Sequence, residues 1–298
     1  MKFEKMLRIV VRRIIGIRLY HYIGTKIKFY KKPGLKKMII KNRDFKDVHK
    51  GKRCFILGNG PSLQNVDFSL LEKEYTITVN MLPRDSRFPK LKTNYHVWAD
   101  ENFFMLHKDR PEDMAVLEIM KQVNTKGNKP VVFYKVSAKN MIKQFGLDKL
   151  INIHYYEEGC WNKWTSKNNI RFDEPVPYFS TVIHYCICLA VYMGFKEIYL
   201  LGCDCTGIIN SIEGWINLDN SSMQNLQYGY EVNENDKKIS QRSHMKCNIR
   251  DEFIGWAGLL DDYEKLSDYC KERGTKLLNA THPTILQSIE RVSLEDIL

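Results

Sequence analysis

Glycine and polar residues follow several short apolar runs of the sequence, at points where a strand would end. Gly58, Asn59 and Gly60 come directly after the run CFIL. An asparagine between two glycines offers amide donors and a carbonyl acceptor to a base, a ribose or a phosphate, and Gly60 lets backbone approach a ligand closely. Ser62 is placed to cap a helix after the turn. These residues indicate a phosphorylated ligand, although a tight turn without any ligand stays open.

The same kinds of residue recur behind later apolar runs. In an open parallel sheet, ligands bind beyond the carboxyl ends of the strands, so these positions would share one edge of the sheet. They are Asn80, Asp100, Gly202, Asp204, Asn279, Thr281 and His282. The turn GNGPS is neither a Walker A motif nor the dinucleotide-binding pattern, because no third glycine follows. The set therefore predicts a nucleotide held by a different kind of turn.

Candidate metal ligands are sparse, since no D-x-D pair stands at the end of a predicted strand. Two C-x-C pairs, Cys186/Cys188 and Cys203/Cys205, lie in apolar runs. Residues two apart on a helix face different directions, so the first pair is poorly placed to share a metal. We expect no metal site. Because no secretory signal is evident, we also expect reduced cysteines and a cytoplasmic protein.

Short apolar runs alternate with helical patterns from residue 51 onward. The runs predict strands at 53–57, 75–80, 95–100, 130–136, 197–204 and 275–279. Helical periodicity predicts helices at 112–123, 180–195 and 259–273, the last ending at Gly274. Near-continuous apolar strands alternating with helices are typical of a parallel sheet covered on both faces. The predicted fold is an α/β domain over residues 51–298, with a doubly wound, mostly parallel, Rossmann-like sheet.

A polar stretch interrupts this alternation at residues 206–243, which are rich in Asn and Ser. Connections of that length are usually functional or disordered. The length and polarity predict a long lid loop beside the ligand. Whether such a lid becomes ordered over a bound donor is left open by the sequence.

The excess positive charge lies entirely in the first 50 residues. The 298-residue chain has a net charge of +11; residues 1–50 hold 16 basic and three acidic residues, and the other 248 hold 30 and 32. No apolar stretch in this arm reaches the roughly 18 residues of a spanning helix. We predict a basic amphipathic arm whose residues 1–32 bind an anionic membrane surface. Packing on its own domain is the alternative, and nucleic acid is not an expected partner.

Two separated blocks of sequence resemble known enzymes. ILGNGPSL, followed by ITVN and later by STVIHYCICLAVYMGFKEIYLLGCDC, resembles the small bacterial sialyltransferases of glycosyltransferase family 42. The layout is also similar to the hydroxymethylpterin-diphosphokinase-like domain, which is often found in bacterial surface-glycan proteins. The resemblance extends over roughly residues 52–298, with dense matches at 55–63 and 180–204. It implies a Rossmann-like, GT-A-like fold.

The resemblance implies a donor-binding role for the first turn. Asn59, Gly60 and Ser62, after Gly58, match the turn that holds the donor nucleotide in the sialyltransferases. Asn80 matches their asparagine after the second strand.

Other positions match the family less closely. Ser180–Thr181 falls, one residue out of register, where those enzymes place a pair of hydroxyl residues on the donor phosphate. Asp100 stands in place of a third asparagine, and Asp204 belongs to the matching G-x-D element. The family's two phosphate-binding tyrosines have no counterpart after residue 206, so Tyr228 or Tyr230 is the expected substitute.

Transfer of a sugar to a hydroxyl requires a base for the acceptor proton and stabilisation of the departing phosphate. Histidine suits the first role because its ordinary pKa lies near working pH. His244 lies in the region where the sialyltransferases carry their histidine base and is the first candidate; His282 is the second. His184 stands within an apolar helical pattern, and we expect a buried, hydrogen-bonded core residue.

These observations together predict an inverting, metal-independent glycosyltransferase that needs no cofactor. Its expected donor is a nucleotide sugar, with a CMP-activated acidic sugar such as sialic acid favoured. Its expected acceptor is a hydroxyl of a cell-surface glycan or glycolipid, of lipopolysaccharide or capsule, at the inner face of the plasma membrane. A Mg-dependent diphosphotransferase of the pterin-kinase type and a non-catalytic nucleotide-binding protein remain alternatives. The sequence leaves the oligomeric state open, and an oligomer is compatible with it.

Overall fold

Strands and helices alternate along most of the chain. The computed structural model describes residues 17–125, 127–159, 164–216, 228–244 and 248–298. The strands are β1 Arg53–Leu57, β2 Tyr75–Val79, β3 Tyr95–Trp98, β4 Val131–Lys135, β5 Asn152–Tyr156, β6 Glu197–Leu201, β7 Lys276–Asn279 and β8 Glu290–Arg291. The α-helices are α1 Ile17–Tyr30, α2 Pro33–Ile39, α3 Pro111–Gln122, α4 Lys139–Gln144, α5 Val182–Tyr192, α6 Gly207–Ile216, α7 Glu234–His244 and α8 Ile249–Glu272.

Within the described residues the strands form one sheet in the order β5-β4-β3-β2-β1-β6-β7-β8. Every pair of neighbouring strands in it is parallel. The chain moves outward from β1 to β5 on one side, and from β6 to β8 on the other. The sheet therefore reverses direction between β1 and β6, the place where open α/β sheets bind ligands. The predicted doubly wound α/β fold is confirmed.

The sheet is covered on both faces because its central strands are apolar on both sides. In β1, Cys54 and Ile56 pack with α5 and α8 in one core cluster. Phe55 and Leu57 point to the other face and pack with α3 and α4. Successive strand residues face opposite sides, so one short run contributes to both cores.

Two predicted boundaries differ from the observed ones. Helix α8 begins at Ile249, ten residues before the prediction, because Asn248 caps it by accepting a hydrogen bond from the Asp251 N–H. The predicted 206–243 loop is wrong at both ends, where α6 and α7 form. Ile209, Ile212 and Ile216 recur at helical spacing in α6, a signal hidden by the polar composition of the whole stretch. Residues 217–227 lie outside the described part of the chain.

The basic arm is helical where it is described. One face of α1 packs on the domain, where Thr25 and Phe29 are buried and Lys26 pairs with Glu174. The opposite face leaves Ile23 and Ile27 exposed. Residues 1–16 of the predicted membrane-binding segment lie outside the description. No helix among the described residues combines the length and apolarity needed to cross a bilayer.

Candidate functional site

A cavity of about 360 Å³ opens at the carboxyl ends of β1, β2 and β6. Its floor is the predicted turn after β1, together with Gly202 and Asp204 after β6, and α8 supplies Trp256 and Tyr263 as a wall. The volume falls within the roughly 300–1,000 Å³ of small-molecule sites. The sheet thus places this first cavity at its point of reversal, as expected for a ligand site in this fold.

The turn after β1 lies against the end of β6 without room for side chains. The Gly58 N–H donates to the Leu201 carbonyl at 2.8 Å, and the Gly60 N–H donates to the Gly202 carbonyl at 2.9 Å. A Cβ added to Gly60 would lie 1.8 Å from Asp204 Oδ2. Glycine at position 60 is therefore required by close packing within the protein, in addition to any approach by a ligand.

Asp204 fastens the turn through Ser62. The Ser62 N–H donates to Asp204 Oδ1 at 2.9 Å, and the Ser62 hydroxyl donates to Oδ2 at 2.8 Å. Burial raises the pKa of Asp204, and the two bonds from Ser62 oppose that rise. The expected capping role of Ser62 is wrong. The cap residue of the 3₁₀ helix Pro61–Asn65 is Gly60, and no side chain caps this helix. A buried carboxylate that needs donors claims the hydroxyl instead.

Asn59 lines the first cavity and has an unused acceptor. Its backbone carbonyl accepts a hydrogen bond from the Gly229 N–H at 2.9 Å. Its side-chain Oδ1 is buried and has no hydrogen-bond partner among the described residues. A buried acceptor without a partner is unfavourable unless water or a ligand supplies a donor. The amide is therefore held beside a cavity by its backbone while its side chain is left for another molecule.

Asn80 is fixed in an unusual conformation at the end of β2. Its φ of 41° is positive, which asparagine tolerates better than most residues. Its side-chain Oδ1 accepts from the Ala99 N–H at 3.1 Å, and its carbonyl lies 3.1 Å from His96 Nε2. Asn80 therefore joins the ends of β2 and β3 and presents its remaining amide group at the cavity edge.

Thr181 stands at the N-terminus of α5 and lines both the first cavity and a second one beside it. It is the cap residue of α5, yet its side chain makes no capping hydrogen bond. A helix N-terminus attracts anions through its free N–H groups and its dipole. Ser180 is exposed and lines only the second of these two cavities.

The second cavity has a volume of about 440 Å³ and lies beyond the ends of β3, β4 and β5. Asp100 lines it, and its carboxylate accepts a hydrogen bond from the Asn102 N–H at 2.9 Å. Lys135 and Glu158 also line it and form an ion pair. The sequence-based reasoning missed both, although Lys135 ends an apolar run and so carried the same signal as Asn80. Glu158 was missed because β5 was not predicted.

Of the two candidate tyrosines, Tyr228 lines the first cavity and Tyr230 does not. Their rings stack with centroids 5.2 Å apart. Burial raises the pKa of Tyr228 to about 12, so it is a neutral hydrogen-bond donor at working pH. Its stacking partner Tyr230 is buried beneath it and contacts Arg84.

The histidines are placed differently from one another. His244 ends α7, but its side chain lies outside the description, and so does its role as a base. His282 is exposed and is not among the residues that line the first cavity. His184 is fully buried as expected, but the expected hydrogen bonding is wrong, because neither ring nitrogen has a partner among the described residues. Burial lowers the pKa of His184 to about 3, which keeps the ring neutral.

The cysteines and potential metal ligands are dispersed. Cys186, Cys188, Cys203 and Cys205 are free thiols. In the described ranges no three His, Cys, Asp or Glu side chains come together as a metal site would require. The absence of a metal remains a prediction.

The chain matches a protein family and also resembles several solved structures. Residues 33–209 match the family described as 6-hydroxymethylpterin diphosphokinase MptE-like. No curated protein matches the chain. The solved structures that resemble it include the sialyltransferase CstII from Campylobacter jejuni with the substrate analogue CMP-3FNeuAc, at 17% identity and a TM-score of 0.44, covering 81% of this chain and 86% of that chain.

Two further complexes of that sialyltransferase give similar values. The complex with a trisaccharide acceptor and CMP has 18% identity and a TM-score of 0.44, with 81% of this chain and 86% of that chain covered. The Campylobacter jejuni CstII complex with cytidine-5'-monophosphate has 17% identity and a TM-score of 0.42, with 82% and 86% covered. A likeness at this level says nothing about substrate.

Proposed function

The chain belongs to the 6-hydroxymethylpterin diphosphokinase MptE-like family, and within it we propose a glycosyltransferase that binds a nucleotide sugar in the first cavity. The observation that carries the proposal is Asn59, whose buried Oδ1 has no partner in the described structure and borders that cavity. A base or ribose supplies the N–H or O–H donor that this oxygen lacks. The flanking glycines keep side chains out of its way.

The donor's phosphate belongs, in this proposal, at Thr181 and the N-terminus of α5. Thr181 borders both cavities, and its hydroxyl is not used as a cap. Helix N–H groups aimed at a phosphate stabilise the negative charge that grows as the sugar departs. The nucleoside then lies over the glycine turn, and the transferred group lies on the far side of Thr181.

Several finer points remain predictions. The inverting course comes from the family resemblance. The metal-independent course and CMP as the nucleotide come from that resemblance together with the absence of a D-x-D pair at a predicted strand end. The base that accepts the acceptor's proton is still His244 or His282 by prediction. The acceptor is a hydroxyl of a glycan or glycolipid, which we place at an anionic membrane surface because Ile23 and Ile27 of the basic arm are exposed.

Diphosphate transfer from ATP is the second candidate, favoured by the family's description. That reaction needs Mg²⁺ and carboxylates that hold it. Asp204, the carboxylate at the β6 end, already accepts two hydrogen bonds from Ser62 and anchors the turn. Its role in holding the protein's own backbone favours glycosyl transfer.

Nucleotide binding tests the proposal, measured by thermal shift and calorimetry with CMP, CDP, UDP, GDP and ATP, each with and without Mg²⁺. We expect CMP without metal to stabilise the protein. Asn59→Ala should weaken CMP binding by about tenfold or more, since a buried hydrogen bond to the ligand is lost. The control is Asn65→Ala, an exposed asparagine of the adjoining 3₁₀ helix that does not line the cavity.

The possible results separate the candidates. Stabilisation by ATP with Mg²⁺ alone would favour the diphosphotransferase. If Asn59→Ala and Asn65→Ala bind CMP with equal affinity, Asn59 does not contact the nucleotide, and the proposal is contradicted. Normal CMP binding with no transfer from any nucleotide sugar would identify a non-catalytic binding protein.

A further inference from the structure

The second cavity adjoins the proposed nucleotide site. Asn80, Thr181 and Val182 line both cavities, so they form the boundary between them. A sugar bonded to a phosphate at Thr181 has to extend across that boundary. The chemistry of the second cavity therefore decides which sugar the protein accepts.

A buried lysine in this cavity is shared between two carboxylates. Lys135, whose side chain is 8% exposed, has its Nζ 2.7 Å from Glu158 Oε1 and 3.7 Å from Glu101 Oε1. The Ser137 hydroxyl donates to the same Glu101 oxygen at 2.9 Å. The positive charge of Lys135 is thus matched within the protein before any ligand enters.

Acidic groups outnumber basic groups on the walls. The charged side chains that line the cavity in the described part of the chain are Asp100, Glu101, Lys135 and Glu158. A sugar carboxylate at this position would approach three like charges and one lysine that is already paired. Like charges that lie close together in a partly desolvated site repel each other, and this repulsion greatly weakens the binding of such a ligand.

The Glu158 carboxylate lines the cavity and suits a hydroxyl or an ammonium group. Lys135 and the Tyr185 hydroxyl both bond to its Oε1. Tyr185 is itself fixed, because the Phe179 N–H donates to its hydroxyl oxygen at 3.0 Å. Glu158 lines the cavity, and these bonds hold its carboxylate in place there. A fixed carboxylate oxygen accepts hydrogen bonds from sugar hydroxyls and pairs with an amine.

We propose that the second cavity holds the transferred sugar and selects an uncharged or amine-bearing sugar over one that carries a carboxylate. This rests on the glycosyltransferase function proposed above and narrows it. It departs from the acidic sugar that the family resemblance implies, and Lys135, Glu101 and Glu158 are the reason. Glu158 is the residue that contacts the sugar.

Matched ligands test the selection on the wild-type protein by calorimetry. UDP-glucose and UDP-glucuronic acid differ only in a hydroxymethyl group and a carboxylate, and UDP alone is the reference. CMP and CMP-sialic acid form the second pair. We expect UDP-glucose to bind about tenfold or more tightly than UDP-glucuronic acid, and CMP-sialic acid to bind no more tightly than CMP. Tighter binding of either acidic sugar nucleotide than of its partner would overturn the proposal.

Glu158→Gln tests the residue named. In this variant the ratio of the affinity for UDP-glucose to the affinity for UDP-glucuronic acid should fall by about tenfold, while UDP and CMP alone bind as before. Glu157→Gln is the control, a half-buried neighbouring glutamate that does not line the cavity. Unchanged discrimination in a folded Glu158→Gln would contradict the proposal, and the wild-type pairs decide if the variant does not fold.

The two proposals fail in different ways. If neither CMP nor UDP binds, with or without Mg²⁺, the nucleotide site itself is wrong and the sugar cavity loses its basis. If a nucleotide binds and the acidic sugar is preferred, only the inference about the sugar is wrong.

Discussion

At the scale of single residues, the candidate site depends on a buried contact within the protein, between Asp204 and Ser62. Asp204 is almost fully buried, and its pKa is raised because burial disfavours the charged form. The Ser62 hydroxyl and N–H both stabilise that charged form. Removing the hydroxyl leaves a buried carboxylate oxygen short of a donor.

We therefore expect Ser62→Ala to lower the free energy of unfolding by about 1–3 kcal/mol at pH 7, measured by urea denaturation. The loss should shrink toward pH 4. Without the hydroxyl, the pKa of Asp204 in the folded protein rises further above the ordinary aspartate value. The variant therefore loses stability as the pH rises above that ordinary value, and it keeps its stability at lower pH, where the carboxyl is protonated in both the folded and the unfolded state.

The control for this prediction is Ser69→Ala. Its hydroxyl bonds the fully exposed Asp67, where water replaces a lost donor at little cost. A loss in Ser62→Ala that is equal at pH 4 and pH 7, or equal to that of Ser69→Ala, would show that the buried carboxylate does not depend on the hydroxyl.

At the scale of elements, the sequence predicted the parts of the sheet that are buried on both faces. β1 and β6 read as continuous apolar runs because successive residues, such as Ile56 and Leu57 in β1, pack in the cores on opposite faces of the sheet. β5 was missed because it is an outer strand with partly exposed side chains, including Asn152 and His154. Asn59 was found because its position after β1 fixes its place at the sheet edge.

The remaining misses arise from contacts between distant parts of the chain. No local pattern states that Ser62 bonds Asp204, 142 residues away. The same holds for Lys135 and Glu158, which meet only because β4 and β5 are neighbours. Trp256 and Tyr263 form a wall of the cavity but were not among the predicted site residues, because they lie on α8 and not directly after a strand.

Helix α1 carries the prediction that belongs to this scale. Deleting residues 1–32 would remove the buried Phe29 as well as the exposed face, so point substitutions are the sharper test. We expect the double variant Ile23→Glu/Ile27→Glu to bind phosphatidylserine vesicles about tenfold or more weakly in a sedimentation assay. Two apolar side chains, 39% and 50% exposed, lose their favourable transfer into the headgroup layer and become negative.

The matched control is Leu70→Glu/Leu150→Glu. These leucines are 55% and 56% exposed, like the isoleucines, but belong to the α/β domain and not to the arm. Vesicle binding that falls equally in both double variants would mean that α1 is not the surface that meets the membrane.

At the scale of the whole molecule, charge is divided unevenly between two parts of the chain. Residues 1–50 carry 16 basic and three acidic residues, while the other 248 are close to neutral, with 30 basic and 32 acidic. In our proposal, this concentrated positive charge orients the protein on an anionic surface. The proposed nucleotide site, by contrast, depends on short-range hydrogen bonds in a cavity.

This division predicts different responses to salt. Because the screening length shortens from about 10 Å at 0.1 M to about 3 Å at 1 M, binding of the full chain to phosphatidylserine vesicles should weaken by about tenfold or more over that range. Binding of CMP to the same protein, measured by calorimetry, should change much less, since groups in a cavity are screened less than exposed ones. Vesicles of phosphatidylcholine alone serve as the control and should bind weakly at every salt concentration. Vesicle binding that is indifferent to salt would mean that the arm's charges face the protein rather than a membrane.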